Sequence, residues 1–131
     1  MSGTRVELVT IGDELLLGFT IDTNAAHLAR ALASIGMHIT QRTTVGDEAA
    51  EIGRVVREAL DRSGAVITTG GLGPTSDDLT KASIAAIFGR EMRVDEAHLA
   101  WMEERWQKRF GRSRAHSRFP ASALAFHCTD C

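Results

Sequence analysis

Apolar and polar positions alternate along the first ninety residues in a repeating order of short β-rich runs and longer helical stripes, the pattern of an α/β fold. The run RVELVTI (Arg5 to Ile11), rich in valine and isoleucine and ended by Gly12, predicts a strand. After a polar turn, Ala25, Leu28, Leu32 and Ile35 fall at helical spacing, with Asp22 or Thr23 as N-cap and Gly36 as the stop. MHITQRTTV (Met37 to Val45) predicts a second strand. Asp47 then stands where a cap belongs, ahead of a helix whose Ile52, Val55, Val56, Ala59 and Leu60 make one apolar stripe ending at Gly64. AVITT (Ala65 to Thr69) is the shortest and most apolar strand and is expected at the centre of the sheet. Thr75 and Asp78 have capping-box spacing for a helix over Leu79 to Phe88, with Gly89 as its stop, and Asp95 to Phe110 forms a last amphipathic helix. The remaining tail shows no period, no clear strand and no cap signal.

Parallel strands joined by helical crossovers bring the three loops at their carboxyl ends to one edge, where open α/β sheets bind ligands. Those loops read GDELLLGFTIDTN, VGDE and GGLGPTSDD, and each sets aspartate beside glycine: Asp13, Asp47, and Asp77 with Asp78. Gly70, Gly71 and Gly73 let backbone N–H groups turn towards an anion, and a helix beginning near Thr75 would add its positive end. Carboxylates alone would repel phosphate. With a divalent cation between them they become its ligands, because Mg²⁺ is typically held by one or two carboxylates plus phosphate oxygens. Asp78 has the capping-box spacing and Asp77 is expected to face solvent. The same residues have plainer readings, as caps and as a strand-to-helix turn.

Composition narrows the alternatives. In 131 residues, 44% are hydrophobic and 24% charged, as in one ordinary globular domain. No apolar run reaches the ~18 residues of a membrane helix and the start lacks a signal peptide's apolar core, so a cytoplasmic protein without membrane partners is expected. Residues 1–99 carry 9 Lys/Arg against 14 Asp/Glu and residues 100–131 carry 6 against 3. The basic run from Arg105 to Arg118 reads as a solvated helix face and tail rather than a nucleic-acid site. Cys128, Cys131 and His127 are too few for a zinc site. Neither the P-loop nor the dinucleotide fingerprint fits.

The segments IGDELLLGFTIDTNAAHLARALASIG, TTVGD and ITTGGLGPTSDDLTKASIAAIFG, in this order, closely resemble the molybdopterin-binding (MoaB/Mog-like) domain in the form found at the N-terminus of CinA, the competence/damage-inducible protein. The resemblance implies a three-layer α/β/α sandwich with a mostly parallel sheet, and self-association. It implies a phosphoanhydride chemistry, with GDELL, DTN and the leucine of GGLGP favouring metal-dependent hydrolysis of an ADP-ribose-like pyrophosphate. The alternatives are a molybdopterin or nucleotide binding module without turnover, and an inactive remnant. Carried onto this sequence, it implies Asp13, Asp47 and Asp78 as ligands of Mg, Mn or Co, with Asp47 and Asp78 catalytic. Gly70, Gly71, Gly73, Thr75, Asp22 and Asn24 are implied to bind a small-molecule pyrophosphate or pterin phosphate. The domain is expected over residues 1–110. Residues 111–131 are expected to lie outside the family pattern, to lack its final strand, and to expose apolar surface that favours association.

Overall fold

The computed structural model describes residues 4–73, 79–111 and 126–128, the last three by backbone alone. Strands β1 (Thr4–Ile11), β2 (Met37–Val45) and β3 (Val66–Thr69) form one parallel sheet in the order β2-β1-β3. Helices α2 (Thr23–Ser34) and α3 (Ala49–Ser63) are the crossovers, and a short α1 (Asp13–Leu16) precedes α2. After β3 come α4 (Thr80–Ile87), β4 (Met92–Val94), α5 (Glu96–Phe110) and β5 (Phe126–Cys128).

Side chains of a strand point alternately to its two faces, and β1 from Val6 to Ile11 is buried throughout, so this strand is covered on both sides. On one face Val9 and Ile11 meet Ile52, Val55, Val56 and Ala59 of α3, with Val45 of β2 in the same cluster. The four α3 residues lie at helical spacing, which is why the stripe legible in the sequence becomes this contact. Helix α3 also packs against α4, while α2 packs on β2. The structure is thus the expected parallel sheet flanked by helices.

The most buried strand is β1, not β3. AVITT was expected at the centre, but among the described residues Val66–Thr69 pairs with β1 alone, and all four residues are half-buried. A short apolar run cannot by itself tell a central strand from a neighbour of one. Residues 126–128, in the tail where no strand was expected, form β5 and pair antiparallel with β4. Both are three residues long, too short to show an alternation in sequence. This ladder is separate from the parallel sheet.

The remaining differences concern caps. Asp22 caps α2 as expected, accepting from the Ala25 N–H at 2.9 Å, and Asp95 does the same for α5 through His98 N–H at 2.9 Å. Asp47 does not cap α3: Glu48 occupies that position without a side-chain bond, because the Asp47 carboxylate is engaged elsewhere. Helix α4 starts at Thr80 behind Leu79. The capping box of Thr75 and Asp78 lies outside the described residues, as does the orientation of Asp77.

Candidate functional site

The strand order reverses at β1: the chain steps from β1 to β2 on one side and returns past β1 to β3 on the other. Loops leaving β1 and β3 therefore lie at a switch point, the usual ligand crevice of such sheets.

Two of the expected carboxylates meet at this edge, on the β2 side of β1 and across that strand from the crevice between the β1 and β3 loops. The Asp13 N–H donates to Asp47 Oδ2 at 3.0 Å and the Asp47 N–H donates to Asp13 Oδ1 at 3.1 Å, a reciprocal clamp between the loops after β1 and β2. Strand pairing sets this up, since Gly12 N–H donates to Val45 O at 2.9 Å and so carries the β1–β2 ladder to the start of both loops. Each carboxylate uses one oxygen in the clamp. The Oδ2 of Asp13 and the Oδ1 of Asp47 lie outside it. Two anions this near repel unless something positive lies between or beside them, and here each is offset in part by the other's N–H.

Asp13 and Asp47 line a cleft of about 480 Å³ together with Glu48, Glu51 and Arg54 of the loop and α3. Arg54 donates to both carboxylate oxygens of Glu51, at 3.3 and 2.7 Å, and to Glu58 Oε1 at 2.9 Å. These bonds raise the Arg54 pKa further above its ordinary value. The hydrogen bond and charge of Arg54 hold the Glu51 carboxyl below the usual carboxylate range. The cleft is therefore acidic, and its arginine is committed to the helix.

The glycine turn lies on the other side of β1 and does not line this cleft. Gly70 (φ 93°) and Gly71 (φ 58°) both have left-handed backbone. A Cβ on Gly70 would overlap the Ile11 carbonyl oxygen, and one on Gly71 would overlap Thr80 Oγ1. These two glycines are thus required by close packing of the turn against β1 and α4, whatever the turn binds. Thr80, fully buried, fixes the turn: its Oγ1 donates to Gly70 O at 3.0 Å and its N–H to Gly71 O at 3.3 Å. Gly73 is half-buried in the same loop. Asp22 is held by its cap bond and lies 3.7 Å from Arg42 of β2, and Asn24 stands exposed in the first turn of α2. Neither lines the Asp13–Asp47 cleft. Thr75 and Asp78 lie outside the described residues.

Two contributors were missed in the sequence. Gly46 stands where a Cβ would overlap Asp13 Oδ1, so a glycine immediately before Asp47 is what admits the clamp. The VGD triplet carries that signal. Thr80 gave none, since one hydroxyl at the head of an apolar helix is unremarkable.

The family described as "Probable molybdopterin binding domain" matches residues 7–126. A solved structure of the protein CinA from Thermoplasma acidophilum superposes with a TM-score of 0.80 at 33% identity, over 100% of this chain and 74% of that one. The chain belongs to the CinA-like molybdopterin-binding-domain family. A "CinA-like protein" of Gemmatimonas aurantiaca is 60% identical over 124 residues, 95% of this chain and 29% of the relative. A "putative competence-damage inducible protein" of Desulforudis audaxviator is 47% identical over 105 residues, 80% of this chain and 25% of the relative. The chain therefore spans less than a third of the length of these curated relatives. The molybdopterin biosynthesis enzyme MoaB from Thermus thermophilus shares the fold at a TM-score of 0.63 and 26% identity, over 93% of this chain and 70% of that one. Among the described residues no helix is long and apolar enough to cross a membrane.

Proposed function

We propose that this CinA-like domain binds a divalent cation and hydrolyses a pyrophosphate of the nucleoside-diphosphate type, ADP-ribose being the representative substrate. The observation that carries the reading is the Asp13–Asp47 clamp: two carboxylates from different loops, each with an oxygen left over, at the carboxyl ends of parallel strands. Among the described residues no three His, Cys, Asp or Glu side chains are grouped tightly enough to hold a metal. The fit is nevertheless adequate for Mg²⁺, Mn²⁺ or Co²⁺, since one or two carboxylates and phosphate oxygens suffice. Asp13 and Asp47 would hold the ion, with Asp78 as a third candidate. A bound cation would supply charge to polarise a phosphoryl oxygen and to lower the pKa of a water.

The chain's own residues do the rest. Asp47 orients an attacking water through its outer oxygen, Asp78 is the second candidate for that role, and the clamp fixes both loops so that the carboxylates do not have to reorganise. In this reading the turn at Gly70 and Gly71, across β1 from the clamp, would offer backbone N–H groups to the phosphates, and Gly73, Thr75, Asp22 and Asn24 are the further residues assigned to substrate binding. Self-association belongs to the same proposal.

The second reading, binding of a pterin phosphate without turnover, is favoured by the likeness to MoaB at 26% identity. One experiment separates the two. ADP-ribose and FAD are incubated with the protein and Mg²⁺, Mn²⁺ or Co²⁺, and molybdopterin binding is measured alongside. Metal-dependent release of AMP supports hydrolysis. Binding of molybdopterin without AMP release supports the binding module.

A further inference from the structure

The loop after β1 carries Leu16, Leu17, Phe19 and Ile21 in water, and the loop after β3 carries an exposed Leu72. Phe19 and Ile21 are 82% and 83% exposed. An apolar set of this kind marks a binding surface. The segment is held in place: Gly18, at φ 79°, turns the chain, its N–H donates to Leu15 O at 3.3 Å, and the Thr20 N–H donates to Glu14 O at 3.1 Å. The backbone of Phe19 is therefore kept one residue from a group bonded to the neighbour of Asp13. Consecutive Cα atoms lie ~3.8 Å apart, so the Phe19 backbone stands within a few residue lengths of Asp13, at the rim of the cleft rather than in its lining.

We propose that Phe19 is the platform on which the flat heterocycle of a nucleotide pyrophosphate stacks, and that it selects ring-bearing pyrophosphates over inorganic ones. The inference rests on the pyrophosphate reading of the site. What favours a ligand over a second copy of the chain is the interleaving of charge with the apolar residues. Asp13 and Glu14 are exposed and precede Leu16, Leu17 and Phe19 on the same short segment. A protein surface covering Phe19 would have to desolvate those carboxylates. An amphipathic ligand covers the ring alone and brings its phosphates, with their cation, to the acid. A bare pyrophosphate would leave Phe19 idle.

The test is calorimetric titration of the full chain with Mg²⁺ and either ADP-ribose or inorganic pyrophosphate, for the wild type, Phe19→Ala and Phe19→Trp, with sedimentation of each variant. Because Phe19 is exposed, neither substitution perturbs the core. Stacking of one base on an aromatic ring corresponds to a loss of about 10-fold or more in affinity when the ring is removed. Phe19→Ala is expected to weaken ADP-ribose by that factor and to leave inorganic pyrophosphate within about twofold, while Phe19→Trp retains ADP-ribose. Equal weakening of both ligands, or of neither, overturns the role of Phe19 and leaves the pyrophosphate site standing. A shift of Phe19→Ala to monomers with ADP-ribose affinity unchanged overturns it in favour of a contact between copies. A wild type that binds neither ligand removes the site and the platform together.

Discussion

Replacing Gly70 by alanine and replacing Gly46 by alanine should have opposite consequences. At Gly70 the backbone has φ 93° and the new Cβ meets the carbonyl oxygen of Ile11, a fully buried residue of the central strand. Left-handed backbone costs a non-glycine residue roughly 1–2 kcal/mol. The overlap cannot be relieved by a side chain turning away, and forcing atoms into a packed interior costs about 1–3 kcal/mol more. The sum, roughly 2–5 kcal/mol, is a large share of the ~5–15 kcal/mol that holds a domain together. With an m-value of ~2 kcal/mol/M, the urea midpoint falls by about 1–2.5 M. At Gly46 the new Cβ meets only the end of the Asp13 side chain, which can swing aside. The loss is one hydrogen bond to the Asp47 N–H, about 0.5–1.5 kcal/mol, and the entropy gained over glycine in the unfolded chain offsets about 0.4–1 kcal/mol. Gly46→Ala should therefore fold nearly as well as the wild type and bind a metal–pyrophosphate complex much less well. Urea unfolding followed by circular dichroism gives both midpoints. A Gly70→Ala protein as stable as the wild type would refute the packing account of the turn and leave Gly70 as a ligand-binding glycine only.

Further expectations rest on single contacts. Thr80→Val removes the Oγ1 bond to Gly70 O inside the core and should cost about 1–3 kcal/mol in denaturant unfolding. Asp22→Ala loses the α2 cap and about 0.5–2 kcal/mol, whereas Asp22→Asn keeps the cap, so a fall in ligand affinity with Asn alone would report a direct role in binding. Glu7 is buried at 3% exposure and takes both bonds of the Arg62 fork, at 3.1 and 2.7 Å. Arg62→Ala should lower the urea midpoint, and adding Glu7→Gln should restore part of it, because the damage is a buried carboxylate without its partner. Glu51 titrates low because Arg54 binds it, so its contribution to stability is present at neutral pH and lost as pH falls through its depressed pKa. In Arg54→Ala, an NMR titration should find the Glu51 carboxyl returned upward to the ordinary range.

The sheet and its crossover helices were legible because their signals are local and repeated. The stripe of α3 and the glycine stops at Gly36, Gly64 and Gly89, all with positive φ in the structure, mark elements whose ends moved by no more than one or two residues. What could not be read were features that depend on a distant partner. Asp47 has the sequence of a cap, yet its carboxylate goes to the Asp13 N–H, 34 positions away. Gly70 and Gly71 look like an anion turn, and their tight packing on Ile11 and Thr80 is visible only once β1 and α4 are in place. Likewise β4 and β5 are three residues each and define one another. Sequence placed the loops after β1, β2 and β3 at one edge of the sheet but could not show that the Asp13–Asp47 cleft and the glycine turn lie on opposite sides of β1.

The most direct measurement of the central claim is AMP release from ADP-ribose by the wild type and by Asp47→Asn, each with and without Mn²⁺. Asparagine can still accept the Asp13 N–H, so the clamp and the fold are retained while the charge is removed. The account predicts Mn²⁺-dependent AMP release by the wild type and its loss in Asp47→Asn, at equal urea midpoints. AMP release that is absent from the wild type, or that persists unchanged in Asp47→Asn, would contradict it.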